Sequence, residues 1–199
     1  MNYLAHLALS GSNEAVMVGN FMGDFAKGRL THPRFAHLSD DVRKGLALHR
    51  LIDHFTDTHP VVLDCRNRLN GVFPRYASVI IDMYFDHFLA KNFEDYYDLP
   101  LGDFVKNTYA ILPRHDHLYY PAMTPMVESM LKYDWLNNYQ HPEGLRRSLG
   151  GMAKKNTILA GIEKSYEELF ENYTDYYAYF CAFFPELQRE CTRFLIDVK

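Results

Sequence analysis

The stretch Val79-Ile-Ile-Asp82-Met-Tyr-Phe-Asp86-His87-Phe-Leu-Ala90 decides how this chain is read. Nothing in it breaks a helix, and on a helical wheel its apolar residues point in every direction. A helix that is apolar all round is a buried helix. Asp82 and Asp86 nevertheless sit one turn apart on one face, with His87 beside them. A buried carboxylate costs several kcal/mol unless it is protonated, hydrogen-bonded, paired or bound to a cation. The stretch therefore predicts a basic partner or a metal ion opposite this helix.

Working outward, the flanks are helical as well. Pro74 opens the central helix, which the pattern extends to about Tyr97. Upstream, Ser39-Asp-Asp41 caps a helix that runs to about His59, where Pro60 stops it. A short helix follows over 60–70, ended by Gly71. Asn13 is an N-cap for a helix from Glu14 to about Lys27, in which Gly19 and Gly23 allow another backbone to come close. Residues 2–9 fit a helix or a strand, and 28–38 read as a loop. Downstream, Leu99-Pro-Leu-Gly102 is a turn and 103–112 a helix. Pro113 to His117 reads as a loop, and 122–137 and 143–155 as helices. A long amphipathic run spans Thr157 to Phe184, with Pro185 as a kink. No run of strands, repeat or low-complexity linker interrupts this order. The expectation is one all-α domain, a helical bundle over residues 1–199.

Composition narrows the function. With 48% hydrophobic and 23% charged residues, the 199-residue chain reads as an ordinary globular protein. A net charge of −4 argues against non-specific nucleic-acid binding. Cys65, Cys181 and Cys191 are widely spaced and lack a CxxC, which predicts reduced thiols in a cytoplasmic protein. The N-terminal segment has no basic region and carries His6 in its middle, so it is a poor signal peptide. No stretch reaches the roughly 18 apolar residues of a membrane span.

The polar residues that bear chemistry lie in the first half: His6, Asp24, His49, Asp53, Asp57, Asp82, Asp86 and His87. His49/Asp53 and Asp82/Asp86 both have the one-turn spacing that lets two side chains reach one ion. Asp86 and His87 point about 100° apart, yet can straddle an ion between their directions. Mixed imidazole and carboxylate donors suit Mn, Fe, Zn or Mg. Each feature also has a plainer reading. His49, Asp53 and Asp57 form a stripe that solvent alone would explain. His6 by itself is more readily a satisfied core histidine, and Asp24 pairs as simply with Lys27 or Arg29. Arg50 or Arg75 would neutralise Asp82 and Asp86 without a metal. His115-Asp116 lies in a loop without an apolar helix around it and is the weaker ligand pair. The aromatic run from Tyr166 to Phe184 reads as core plus a snorkelling rim, with a pocket wall as the alternative. No nucleophile elbow, phosphate loop, dinucleotide fingerprint or HExxH is present.

Five short motifs, in order, resemble the acyl carrier protein phosphodiesterase family. They are Met1-Asn-Tyr-Leu-Ala-His6, Gly19-Asn-Phe-Met-Gly-Asp24-Phe, Leu48-His-Arg-Leu-Ile-Asp53, Thr56-Asp57 and Asp82-Met-Tyr-Phe-Asp86-His87-Phe-Leu. The resemblance implies a fold related to the HD-type metal-dependent phosphohydrolases, with Mn2+ as the ion and Mg2+, Fe2+ or Zn2+ as alternatives. It implies hydrolysis of the diester joining 4′-phosphopantetheine to a serine of holo acyl carrier protein, a step of lipid metabolism. His6, Asp24, His49, Asp53, Asp86 and His87 match polar positions of the family motifs and are the expected metal ligands. The adjacent pair Asp86-His87 is reversed and late compared with the usual HD order. Asp24 or Asp82 is expected to orient water or accept its proton, with Lys27, Arg50 and Arg75 near the phosphate. The carrier is acidic, so Arg146-Arg147 and Lys154-Lys155 are the expected docking cations. Two other functions remain open on the residues: a phosphohydrolase of a small phosphoester such as a nucleotide, and a non-catalytic helical binding protein.

Overall fold

The computed structural model describes residues 1–155 and 157–197, and among them there is no strand. The apolar stretch forms α5, Ala77–Lys91. From Ile80 to Ala90, every residue except Asp82 is buried. Four helices pack on it: α1 (Tyr3–Ala8), α4 (Pro60–Asn70), α9 (Pro142–Lys155) and α11 (Tyr173–Asp197). Of residues 2–9, which fit a helix or a strand, 3–8 are helical. The helix is shorter at both ends than the pattern predicts. Pro74 lies in a turn before it, and the Asn92 side chain closes it by donating to the Phe88 carbonyl at 2.8 Å.

The most extensive helix pairing joins α2 (Glu14–Phe21) to α3 (Asp40–Thr58). Asn13 caps α2 through the backbone N–H of Ala15 and Val16, and Ser39 caps α3 through that of Val42. A Cβ on Gly19 would lie 2.2 Å from the Val42 carbonyl oxygen, and one on Gly45 2.1 Å from that of Val16. Both glycines are required by this contact. The close approach sets the end of α2 against the middle of α3, where His49 and Asp53 stand.

The second half completes the shell with α6 (Leu101–Ile111), α7 (Met123–Lys132), α8 (Trp135–Asn138) and α10 (Ser165–Glu171). Two departures from the sequence pattern have local causes. Asp134 adopts a left-handed backbone (φ 48°), which splits 122–137 into α7 and α8. Residues 157–184 are not one helix: two short 3-10 turns and α10 precede α11, which continues through Pro185. Residues 112–118, expected as a loop, form a 3-10 segment. The C-terminal aromatics divide into core and rim: Tyr166, Tyr173, Tyr177 and Tyr179 are partly buried against the core and Phe170 is exposed. Tyr176, Phe180, Phe183 and Phe184 are fully buried, and Phe180 meets Phe85 edge-on at 5.7 Å. No helix among the described residues is long and apolar enough to cross a membrane.

Candidate metal centre and its cleft

α1, α2 and α3 converge on a cleft of about 290 Å³ lined by His6, Asn20, Asp24, His49, Asp53, Thr56, Asp57 and Asp82, among others. At its floor the rings of His6 and His49 stack with centroids 4.2 Å apart. Their Nε2 atoms face one carboxylate, Asp53, at 3.3 and 3.1 Å. The donor atoms of His6, His49 and Asp53 all lie within 4.8 Å of one another, a spacing that can hold a divalent cation. Asp24 reaches the same point from the turn after α2, 3.7 Å from His49 Nε2.

Asn20 fixes both imidazoles. His6 Nδ1 lies 2.8 Å from the Asn20 side-chain oxygen, and His49 Nδ1 lies 2.8 Å from the Asn20 backbone oxygen. Both oxygens only accept, so both Nδ1 atoms carry the hydrogen. The Asn20 amide is itself held, donating to the His6 carbonyl at 2.7 Å and the Ser10 hydroxyl at 2.9 Å. In the neutral rings the Nε2 atoms therefore present lone pairs to the Asp53 carboxylate. That arrangement requires a cation between them, a proton or a metal ion. Protons alone serve it poorly. Burial holds His6 below the ordinary imidazole value, only partly offset by Asp53. Burial also opposes charge on His49, but Asp24 and Asp53 raise it to about 9. Burial would raise the Asp53 carboxyl, yet its bonds to His49 and His6 hold it well below the carboxylate range. Two stacked imidazolium rings would repel each other, whereas one divalent ion satisfies both nitrogens and the carboxylate.

The central helix meets the cleft in an unforeseen way. Asp86 is fully buried under the first turn of α1, accepting the backbone N–H of Asn2 (3.1 Å), Leu4 (2.8 Å) and Ala5 (3.3 Å). The partner opposite α5 is thus a helix N-terminus, with its unpaired N–H groups and positive dipole end. Asp82, one turn earlier, lines the cleft and pairs with the Met1 amine at 2.6 Å. His87 points away, with Nδ1 2.7 Å from the Tyr139 carbonyl oxygen and Nε2 3.1 Å from the Tyr173 hydroxyl. Neither Asp86 nor His87 joins the group gathered around Asp53. The expected phosphate-binding cations are also placed elsewhere. Arg50 donates to the carbonyls of Ala26 (3.0 Å) and Gly28 (2.5 Å), pinning the loop after α2, while Lys27 and Arg75 are exposed and do not line the cleft. His115 stands near Glu14, away from the cleft.

Two residues of the cleft were not anticipated. Asn20 is a polar side chain in an otherwise apolar run of α2, and that mismatch is its signal in the sequence. Thr56 is one turn beyond Asp53 on α3; its hydroxyl is buried without a hydrogen-bond partner.

The described residues form an all-helical protein whose imidazoles and carboxylates converge at the foot of one cleft, a donor set that could hold a divalent ion. The chain belongs to the acyl carrier protein phosphodiesterase family, whose model matches residues 1–187. It is 31% identical to the acyl carrier protein phosphodiesterase of Photorhabdus laumondii over 96% of this chain and 94% of that one. It is 30% identical to the proteins of that name from Yersinia enterocolitica (96% and 97% covered) and Klebsiella pneumoniae strain 342 (95% and 96%). No solved structure matches it.

Proposed function

We propose that this chain is a metal-dependent phosphodiesterase that hydrolyses the diester between 4′-phosphopantetheine and a serine of holo acyl carrier protein, giving apo carrier and 4′-phosphopantetheine. The observation that carries the metal dependence is the charge of the cleft. Among the described residues, Asp24, Asp53, Asp57 and Asp82 line it and no Lys or Arg does, so four carboxylates face only the Met1 amine and the His49 imidazole as cations. An anionic diester would be repelled there without further positive charge. His6, His49 and Asp53 would hold the ion, and their mixed donors suit Mn2+ or a similar divalent metal. Such an ion supplies charge neutralisation at phosphorus and water that ionises near neutral pH.

The chain's own groups do the rest. Asn20 locks both imidazoles with Nε2 forward. Asp24, more exposed than Asp53, orients the attacking water and accepts its proton. Water oxygen bonds to phosphorus as its proton passes to Asp24, the bond from phosphorus to the serine oxygen breaks, and that oxygen takes a proton from solvent while Asp24 returns its own to solvent. The acidic carrier docks against Arg146, Arg147 and Lys154, exposed on α9; the side chain of Lys155 lies outside the described residues. The carrier places the enzyme in the cytoplasm, in keeping with free thiols at Cys65, Cys181 and Cys191.

The test is mass spectrometry of holo carrier incubated with the Mn2+-loaded protein. The expected result is a carrier lighter by the phosphopantetheine group, with no change after chelation. An intact carrier in the presence of the loaded protein sinks the reading.

A further inference from the structure

A second cavity, about 540 Å³ and mainly apolar, lies behind the cleft between α7, α8 and α9. Its size is that of a site for a small organic group. Tyr3 is a wall of both spaces. Its ring stands between Phe21 on the cleft side, at 5.7 Å, and Trp135 on the cavity side, at 6.4 Å, and its hydroxyl meets Met126 Sδ at 3.0 Å. On α9 the cavity is bounded by Gly144, Ser148 and Gly151, which share one helix face, so the wall there is low.

We propose that this cavity seats the thiol-bearing distal end of the pantetheine arm while its phosphodiester lies in the cleft. The proposal rests on the phosphodiesterase reading and adds a binding site to it. A diester has two arms. One leads to the carrier's serine, and the other must run from the cleft into a space of matching chemistry. The arm offers two amides and a sulfur. Ser129 and Ser148 bring hydroxyl groups to the lining for the amides, and Met126, Met152 and Trp135 form the soft, polarizable surroundings that sulfur favours. Arg147 is both at the cavity edge and among the exposed cations of α9, so a carrier docked there presents its arm beside this space.

Gly151 makes the idea testable. A Cβ there meets nothing within 4 Å, so Gly151→Leu fills the cavity without moving backbone and favours the helix. Gly150 is equally open but does not line the cavity, and Gly150→Leu is the matched control. Trp135 is the one tryptophan of the sequence and reports occupancy directly. Titration of the full chain with pantetheine, which lacks the phosphate, should give a saturable change in Trp135 emission. That response should weaken about tenfold or more in Gly151→Leu and in Ser148→Leu, and persist in Gly150→Leu. On holo carrier, Gly151→Leu should raise KM about tenfold while kcat changes less than about twofold. No saturable emission change, or one indifferent to Gly151 and Ser148, overturns the proposal. The two readings fail separately. Carrier cleaved equally well by Gly151→Leu removes the cavity and leaves the phosphodiesterase. Gly151-dependent pantetheine binding with uncleaved carrier keeps the cavity and removes the reaction.

Discussion

Gly23 faces the imidazole of His49 so closely that a Cβ on it would lie 2.0 Å from the ring. Its backbone has no positive φ, so the glycine serves space rather than conformation. Gly23→Ala should push the ring out of line with Asp53 and lower Mn2+ affinity about 10- to 100-fold, as loss of support around a ligand does elsewhere. Calorimetric titration checks this, and unchanged affinity would show that His49 is not a ligand or relocates freely.

Asn20 orients two ligands at once through one side-chain and one backbone oxygen. In Asn20→Ala the backbone contact to His49 survives, but His6 Nδ1 loses its acceptor, while the His6 carbonyl keeps only the Ser10 hydroxyl as a side-chain donor. The expected outcome is a similar drop in metal affinity, with stability down by about 1–3 kcal/mol from buried groups left unpaired. A variant that keeps full affinity would remove Asn20 from the centre.

Metal removal has a readout that needs no substrate. The cluster joins α1 to α3, so an ion held there binds the folded chain and not the unfolded one. Mn2+ at about 100 times its Kd should stabilise the chelated protein by about 2.7 kcal/mol, visible as a higher Tm. A melting curve indifferent to Mn2+, Mg2+, Fe2+ and Zn2+ would refute the metal centre.

Much of this was legible in the residues, and what was not has a common cause. The His49/Asp53 spacing alone puts both side chains at one point, and the all-apolar wheel of α5 declares its burial. Asp86 posed the right question, since its charge needed compensation, but the answer is backbone. Three N–H groups of α1 leave no trace in a pattern of side chains, least of all in a segment too short to be assigned. Adjacency misled for His87, which helix geometry turns away toward Tyr139 and Tyr173. Arg50 is near the ligands in sequence, yet its guanidinium is taken by loop carbonyls, an interaction set by the path of residues 22–28.

Asp82 and Asp86 should differ sharply when truncated. Asp86→Ala strands the buried N–H groups of Leu4 and Ala5 and the half-buried one of Asn2, and should cost about 3 kcal/mol or more in urea unfolding. Asp82 is one-third exposed on the cleft, so water can reach the Met1 amine once the carboxylate is gone, and its loss should cost less than that of Asp86. Equal losses in the two variants would contradict the placement of Asp86 beneath α1.

Burial lowers the His87 pKa from 6.5 to about 4, against a raising contribution from the Tyr139 carbonyl. The fold keeps His87 neutral, while the unfolded chain takes up a proton below 6.5. This contribution to stability is complete above pH 6.5 and lost as pH falls toward 4. The loss should reach about 2 kcal/mol by pH 5. His87→Gln should flatten that part of the pH dependence, measured by urea unfolding at pH 7 and pH 5. Parallel pH dependences in the two proteins would refute it.

The seat of α1 on Asp86 also bears on the order in which the protein can become active. His6 rides on a helix of six residues, far too short to persist alone. During synthesis His6, Asp24, His49 and Asp53 all leave the ribosome before Asp86 does. A nascent chain of some sixty residues thus carries every donor atom of the centre but not the acceptor that holds its first helix. An ion held by His6, His49 and Asp53 would therefore be captured only after α5 has folded, and the position of one carboxylate in the chain would set that order.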